Sequence, residues 1–451
     1  MCSIFAIVKA MIKKYLFVLG RSVKLAEAEL KSILEKRLLF SDFSLTKNLV
    51  TIKSADETEK VADLINTLGG TVKIAELVEY GNWAEVIYQD LKSNPVRDVG
   101  FSSLDSKLKR NMVFDLKFTL KSEGINIRAV MPRESTFLNA AEIRSNKLIG
   151  KGREYVVVEQ PPTKLRMVAR NYESTNKAES DSGQAVYRTI AQQDIESQVE
   201  RDYGKPRSNA VSGMVPPKLA RMMVNIAANM AETQISKSKD QKDLNLEPCS
   251  LNLPQSLTVV DPFCGSGNIL IEAFDLGYSV QGSDISGGEV QKTTENLEWL
   301  SGELGNRNKV SGVQKPNTYN LQPYTAFIAD ASKDDFLIGI ESPIVIVAEP
   351  YLGEPHKEKL TDDQVTAEID ALTELYLAFF ANLKRITDNG SRITICLIFP
   401  SFELQNGGQR SLYKEIVDKI GSFGYTSLVG PYEYGRDYQV VKREILLLRQ
   451  K

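Results

Sequence analysis

The chain has 451 residues, a length that predicts two or three domains. Its apolar content of 42% and charged content of 25% are typical of a soluble globular protein. The net charge of −2 excludes an overall basic field, so any binding to nucleic acid must use a local basic patch. Four scattered cysteines and one histidine, His356, predict reduced thiols, a cytoplasmic location and no metal site, and they exclude triad catalysis unless His356 itself serves.

The first residues, MCSIFAIVKAMIKKYLFVLG, are too short and too charged to cross a bilayer, and the sequence predicts no association with a membrane. Whether translation begins at Met1 or Met11 is left open. From Met11 the pattern predicts strand, helix, hairpin, helix and strand. That order is typical of a ferredoxin-like domain, which we assign to residues 11–80.

Residues 81–170 are predicted to form a second α+β domain that is locally basic. Between Phe101 and Arg153 there are eleven lysines or arginines against five acids. Such a patch can neutralise several phosphates of a nucleic acid, although a run of charges is as often simply a solvated face. The candidate nucleic-acid contacts in this domain are Lys107, Lys109, Arg110, Arg144 and Lys147.

Residues 171–217 are predicted to be a linker followed by a basic loop. Between Arg201 and Arg221 there are five lysines or arginines and one acid, with glycines and prolines that argue against regular structure. This loop could guide a polyanion towards the following domain, and Arg207 is its candidate contact. A solvated surface turn is the equal alternative.

The last domain, 218–451, is organised around the stretch LTVVDPFCGSGNIL at Leu257–Leu270. An apolar β-branched run predicts a buried strand, which ends at Asp261. A turn containing Gly265 and Gly267 follows, and helical spacing then resumes. Strand, glycine turn and helix form the first half of a nucleotide-binding unit, in which the backbone approaches a ligand closely.

Three further predicted strands each end at a polar residue: Asp284, Asp330 and Glu349. Such residues mark the ligand crevice at the carboxyl edge of a parallel sheet, although each aspartate alone could also be a helix cap. Asp284 suits the hydroxyls of a ribose, and Asp330 suits the amine of an adenine. Asp261 would repel a pyrophosphate but can hold the ammonium of S-adenosylmethionine, which favours that cofactor over a dinucleotide.

DPFCGSGNILIEA resembles motif I of the S-adenosylmethionine-dependent methyltransferases that act on the N2 amine of RNA guanosine. YLFVLGR, LAEAEL, LGGTVKIAE and RDYGKPRSNAVSGMVPPKLARMMVNIA resemble the N-terminal and joining segments of the THUMP-containing tRNA guanosine-N2 methyltransferases of the guanine-10 type. The resemblance implies that 81–170 is a THUMP domain that binds the acceptor end of tRNA. It also implies that Cys264, Gly265 and Gly267 line the methionine part of the cofactor.

The fourth-strand motif departs from the family pattern of Asp/Asn-Pro-Pro-aromatic. Here IVAEPYLG places Glu349, Pro350 and Tyr351 at the catalytic positions implied by the resemblance. A carboxylate there accepts hydrogen bonds from the amine and aligns its lone pair, so catalysis is mainly positioning. The longer glutamate would move the oxygens by more than about 1 Å, a displacement that can cost roughly a hundredfold in rate.

The sequence thus predicts an α/β fold: a Rossmann-like class I methyltransferase domain preceded by α+β ferredoxin-like and THUMP domains. The predicted activity is methylation of a guanosine N2 in tRNA, and a small activating protein subunit is left open. The first alternative is a catalytically weakened tRNA-binding protein. A DNA amino-methyltransferase and a dehydrogenase are further alternatives, disfavoured by the N-terminal domains and by Leu270 at the third glycine position.

Overall fold

A computed structural model describes residues 12–103, 108–133, 135–158, 184–208, 214–239, 257–310, 323–340, 343–387, 393–436 and 438–450. The chain divides into two compact units, residues 1–195 and 196–451. The division falls inside the segment 171–217, which the sequence predicted as a linker. Within the described ranges, no helix combines the length and the apolar character needed to cross a bilayer.

Besides a 3-10 helix over Leu64–Asn66, the first unit contains α-helices and strands. They are β1 (Lys13–Leu19), α1 (Val23–Arg37), β2 (Phe40–Thr46), β3 (Leu49–Ser54), α2 (Thr58–Asp63), β4 (Thr71–Gly81), α3 (Trp83–Ser93), β5 (Asp98–Ser103), α4 (Arg110–Ser122), β6 (Arg128–Val130), α5 (Ala140–Ser145), β7 (Arg153–Val158) and β8 (Gln184–Gln192). The order from β1 to β4 is the strand, helix, hairpin, helix and strand that the sequence predicts.

All eight strands of the first unit belong to one sheet, in the order β2-β3-β1-β4-β8-β7-β5-β6. Strand β4 pairs with β1 on one side and with β8 on the other, so the sheet runs without a break through both predicted N-terminal domains. At its centre Lys73 and Glu154 are both buried, and their Nζ and Oε1 atoms lie 2.6 Å apart. Ser102 and Thr189 also donate to Glu154, so each charge is compensated locally.

Residues 184–192 correct the predicted linker, because they form the central strand β8. Ala185, Val186 and Tyr187 are fully buried between β4 and β7. The polar run NYESTNKAESDSGQ, immediately before these residues, made the whole segment resemble a linker. The partner strands are distant in sequence, so no local pattern revealed the pairing; residues 171–183 lie outside the described residues.

Besides a π-helix over Glu200–Gly204, in the segment expected to lack regular structure, the second unit carries the remaining α-helices and strands. They are α6 (Ile195–Val199), which begins at the division, α7 (Pro217–Lys239), β9 (Thr258–Asp261), α8 (Asn268–Asp275), β10 (Ser279–Asp284), α9 (Gly287–Val310), β11 (Tyr324–Ile328), β12 (Ile344–Ala348), α10 (Asp362–Thr387), β13 (Ile393–Glu403), β14 (Gln409–Ser411), α11 (Leu412–Ser422), β15 (Tyr425–Tyr434) and β16 (Val441–Gln450).

The strands of the second unit follow the order β11-β10-β9-β12-β13-β16-β15. The first five are parallel, whereas β16 is antiparallel to both of its neighbours. This arrangement is the predicted Rossmann-like class I methyltransferase fold, including the closing hairpin β15–β16. Alternate residues of β12 and β13, among them Ile346 and Leu397, share a core with α10 and α11, because successive side chains of a strand point to opposite faces.

Parallel strands bring their carboxyl ends to the same edge of a sheet. Strand β9 lies between β10 and β12, and the three strands end at Asp261, at Asp284 and just before Glu349. Residues that are far apart in the sequence are thereby brought to one crevice.

Candidate functional site

The turn between β9 and α8 is held in a conformation that requires glycine. Gly265 has φ +51° and Gly267 has φ +85°, both in the left-handed region. A Cβ added to Gly267 would lie 3.0 Å from the Thr293 hydroxyl oxygen, whereas one added to Gly265 would meet open space. The turn is therefore packed on the side of Gly267 and accessible to a ligand at Gly265.

Asp284 holds this turn from the neighbouring strand. Its Oδ2 accepts from the Gly265 N–H at 2.9 Å, and its Oδ1 accepts from the Ser286 N–H at 2.9 Å. A carboxylate can accept about four hydrogen bonds, so capacity remains for the ribose hydroxyls predicted from the sequence. The side chain fixes the glycine turn as well as lining the crevice.

Asp261 is a buried carboxyl group at the centre of the crevice. Its Oδ1 accepts from the Phe263 N–H at 3.0 Å, and only 2% of the residue is exposed. Burial raises the pKa of Asp261 well above its ordinary range, and the neighbouring carboxylates of Asp284 and Glu349 act in the same direction. A cation placed beside this group would be stabilised by the opposite charge.

Cys264 contributes to the turn through its backbone. Its N–H donates to the Ser283 carbonyl at 2.9 Å, and its Sγ lies 3.6 Å from the Thr293 hydroxyl. Burial raises the pKa of the Cys264 thiol, so the sulfur is neutral and is not a nucleophile. Within the described ranges no cluster of three or more residues could hold a metal ion.

Asp330 follows β11 and is used by the local turn, the capping alternative that the sequence left open. Its Oδ1 accepts from the N–H and the hydroxyl of Ser332, and its Oδ2 lies 3.0 Å from Lys333 Nζ. The hydrogen bonds from Ser332 hold the pKa of Asp330 below its ordinary value. The carboxylate is ionised and keeps a free lone pair for an amine.

Glu349 lies in an ion pair that the sequence did not reveal. Arg443, on β16, approaches it side-on, with Nε 2.5 Å from Oε1 and Nη2 3.3 Å from Oε2. The side chains of Arg443 and Glu349 are 13% and 12% exposed, so the pair is largely shielded from solvent. Burial raises the pKa of Glu349, although Arg443 opposes the shift. The additional methylene of glutamate, compared with aspartate, spans the distance to this arginine.

The rest of the fourth-strand motif is more exposed. Pro350 is buried, whereas Tyr351 projects outward and donates its hydroxyl to Glu354 at 2.8 Å. Burial and the nearby Glu354 carboxylate raise the pKa of Tyr351 to about 12, so the phenol is neutral. Its ring is available for stacking on a planar group.

Two apolar residues at the crevice were missed in the sequence. Ile285 and Ile328 are 71% and 66% exposed, although isoleucine is among the residues most often buried. A Cβ added to Gly287, which lies two residues after Ile285, would be 3.0 Å from Ile328 Cδ1. The available signal was an apolar residue at, or just after, the end of a strand, where the turn should be polar.

Most of the positive charge in the segment 201–221 is buried, so it is neither on a solvated turn nor available to a polyanion. The guanidinium groups of Arg201 and Arg221 are buried, and their Nε atoms each lie 2.6 Å from the Glu272 carboxylate. Both arginines also pair with Asp275 on the same helix, α8. These charges fasten the segment to the helix that follows the glycine turn.

Lys205 is also buried, and its Nζ donates to Asn268 at the start of α8. Burial lowers the pKa of Lys205 to about 8. Arg207 remains exposed, with its Nε 2.5 Å from Glu295, and its backbone N–H and carbonyl both bond to the Asn296 amide. The predicted basic loop is thus secured to both helices beside the glycine turn.

The predicted nucleic-acid contacts of the first unit form two groups. Arg144 and Lys147 line a cavity of about 520 Å³ together with Lys151, and Arg144 lies 3.9 Å from Asp194. Lys109 and Arg110 are exposed at the start of α4. Lys107 lies outside the described residues.

We expect the stability of the protein to fall as pH rises because of Asp261. The pKa of Asp261 is raised in the folded state. Its contribution to the free energy of unfolding is therefore fully present below the pKa of the unfolded chain, about 4, and is lost as pH rises through the pKa of the folded protein. Asp261→Asn keeps the acceptor for Phe263 but removes this dependence. Urea denaturation between pH 4 and pH 8 should therefore show wild type losing stability relative to the variant. Asp363→Asn, at an exposed position, is the control, and parallel pH curves for wild type and Asp261→Asn would contradict the prediction.

We expect Arg443→Met to lower the free energy of unfolding by about 3 kcal/mol or more, because it leaves the Glu349 carboxylate buried without a partner. The double variant Arg443→Met/Glu349→Gln should recover much of that loss. Arg449→Met, at an exposed site on the same strand, is the matched control. Urea denaturation of the full chain measures the free energy of unfolding of all three variants. Equal values for Arg443→Met and Arg449→Met would refute the role of the pair.

No protein-family model matches the chain. Over 86 residues it is 37% identical to a tRNA (guanine(10)-N2)-dimethyltransferase of Methanothermobacter thermautotrophicus, a match that covers 19% of this chain and 18% of that relative. The chain therefore matches less than a fifth of the relative's length.

Two solved structures align with the chain. A "possible methylase" from Clostridium difficile 630 aligns over 96% of this chain and 98% of its own, with a TM-score of 0.47 and 11% identity. An rRNA methylase from Streptococcus thermophilus aligns over 50% of this chain and 96% of its own, with a TM-score of 0.25 and 16% identity.

Proposed function

We propose that the chain is an S-adenosylmethionine-dependent methyltransferase that acts on the exocyclic N2 amine of a guanosine in tRNA. The observation that carries the proposal is the meeting of Asp261, Asp284 and Glu349 at one edge of the sheet, beside a glycine turn that is open at Gly265. The partial match to a tRNA (guanine(10)-N2)-dimethyltransferase supports the substrate.

The residues of the crevice fit this cofactor. The methionine ammonium would favour the ionised form of Asp261 and pair with it. Asp284 accepts from ribose hydroxyls, and Asp330 accepts from the adenine amine. Ile285 and Ile328 are exposed apolar surfaces on which an adenine can pack. When bound, the cofactor supplies an electrophilic methyl group on a sulfonium.

The remaining residues position the guanine amine. The Glu349 carboxylate keeps lone pairs that Arg443 does not use, and these accept from the N2 hydrogens. The hydrogen bonds orient the nitrogen lone pair, and Tyr351 can stack on the base. Nothing in this scheme needs a strong base, because alignment at a near-attack distance accounts for most of the rate.

We further propose that residues 11–80 are a ferredoxin-like domain and that residues 81–170 are a THUMP domain that binds tRNA. The support is the element order of the first unit and the two exposed basic groups at Arg144 and Lys147 and at Lys109 and Arg110.

A tRNA-binding protein with weakened catalysis is the second candidate. The observation that favours it is the Glu349–Arg443 pair, which already engages the carboxylate that should receive the amine. The two candidates share a fold and a ligand and differ only in methyl transfer.

Incubation of unmodified tRNA with methyl-labelled S-adenosylmethionine, followed by digestion to nucleosides, should yield N2-methylguanosine or its dimethylated form. A transcript with inosine in place of guanosine lacks the N2 amine and is the control, which should stay unlabelled. Labelling of the inosine transcript would show that the methyl group is transferred to an atom other than the guanosine N2. Intact tRNA binding with no labelled guanosine would favour the second candidate, and tight calorimetric binding of NAD would refute the cofactor.

Glu349→Asp should lower kcat by roughly a hundredfold, because the shorter side chain cannot pair with Arg443 and present its oxygens in the same place. Binding of S-adenosylmethionine, measured by calorimetry, should be unchanged. Glu358→Asp, at an exposed position away from the motif, is the matched control. An increase in activity of Glu349→Asp would show that glutamate is a handicap in this pocket.

A further inference from the structure

Helix α4 carries two large aromatic side chains on its exposed face. Phe114 is 58% exposed and Phe118 is 77% exposed, whereas Val113, Leu116 and Leu120 bury the opposite side of the helix in the core. Residues four apart lie on the same side of a helix, so the two rings are neighbours. The core of the first unit does not use them.

The same face of α4 carries three cations and one acid, Asp115. Arg110 lies four residues before Phe114, and Lys117 and Lys121 each lie three residues after one of the two rings. These spacings place all three cations beside the rings. Among the described residues, no ion pair engages Arg110, Lys117 or Lys121.

The combination favours one kind of partner. Lysine is depleted at surfaces that dock other proteins, so a lysine-flanked aromatic pair fits a polyanion better than a second protein. A duplex hides the faces of its bases, whereas unpaired nucleotides expose them. Aromatic rings that stack on bases, with cations that follow the backbone, are the means by which proteins hold single-stranded nucleic acid.

We propose that the α4 face, formed by Arg110, Phe114, Lys117, Phe118 and Lys121, binds unpaired nucleotides of the RNA substrate by stacking. Taking RNA as the polyanion rests on the proposed function. The two rings hold successive bases, and the three cations neutralise the phosphates between and beside them.

The test compares two single-stranded RNA oligonucleotides of about ten nucleotides, one with bases and one abasic, so that charge is equal and only stacking differs. Fluorescence anisotropy with the full chain should show the base-bearing strand bound roughly tenfold or more tightly. Phe114→Leu/Phe118→Leu, which keeps the apolar surface but removes the rings, should abolish that preference. Leu39→Ala, at another exposed apolar residue of the same unit, is the control.

Lys117→Gln/Lys121→Gln should weaken binding of both strands equally, with a salt slope shallower by roughly 0.7 for each lysine. Phe118→Trp should keep the base preference, and its fluorescence should be quenched by the base-bearing strand alone. These two variants separate the charge of the face from its stacking.

Three results would overturn the inference: a wild type that binds neither strand, a leucine variant that keeps the base preference, or rings that matter only for self-association in ultracentrifugation. None of these measurements requires methyl transfer. If the chain binds RNA through α4 but leaves guanosine unmodified, the proposed function is wrong and this inference stands. If the wild type methylates guanosine but the Phe114→Leu/Phe118→Leu variant binds RNA as the wild type does, this inference is wrong and the proposed function stands.

Discussion

Three carboxyl groups converge at one edge of the second sheet, and the groups around them stabilise these side chains by hydrogen bonds and an ion pair. Asp284 accepts from two backbone N–H groups, Asp261 accepts from one, and Glu349 pairs with Arg443. Like charges in a poorly solvated crevice repel, so each needs a partner of its own. Arg443 balances the charge of Glu349, and a cationic ligand beside Asp261 would favour the ionised form of that carboxyl group, whereas a phosphate would be repelled by it.

The same principle explains the segment that precedes the sheet. Its arginines could have served nucleic acid, but Arg201 and Arg221 are buried against Glu272 on α8. Removing one member of such a buried cluster leaves an uncompensated charge, so the cluster fixes α8 and the glycine turn at its start. The net charge counted from the sequence therefore overestimated the positive charge that this segment can present to a polyanion.

The first unit has both a buried ion pair and basic residues that remain on the surface. The buried Lys73–Glu154 pair stabilises the centre of a continuous sheet, whereas the lysines of α4 stay on the surface beside two exposed rings. Only the second group can meet a ligand. A basic patch acquires a functional meaning when its members are shown to be accessible, which composition cannot decide.

The sequence by itself determined the Rossmann-like fold of the second unit, the glycine turn and the acids at the strand ends, because each depends on local signals: a β-branched run, a turn that needs glycine, a polar residue where a strand stops. Tertiary structure decided the rest. Strand β8 needed partners distant in sequence, Arg443 lies 94 residues from Glu349, and the exposure of Ile285, Ile328, Phe114 and Phe118 depends on how the elements pack. Pairing across a sheet and burial against a neighbouring helix are long-range properties, and no window of adjacent residues contains them.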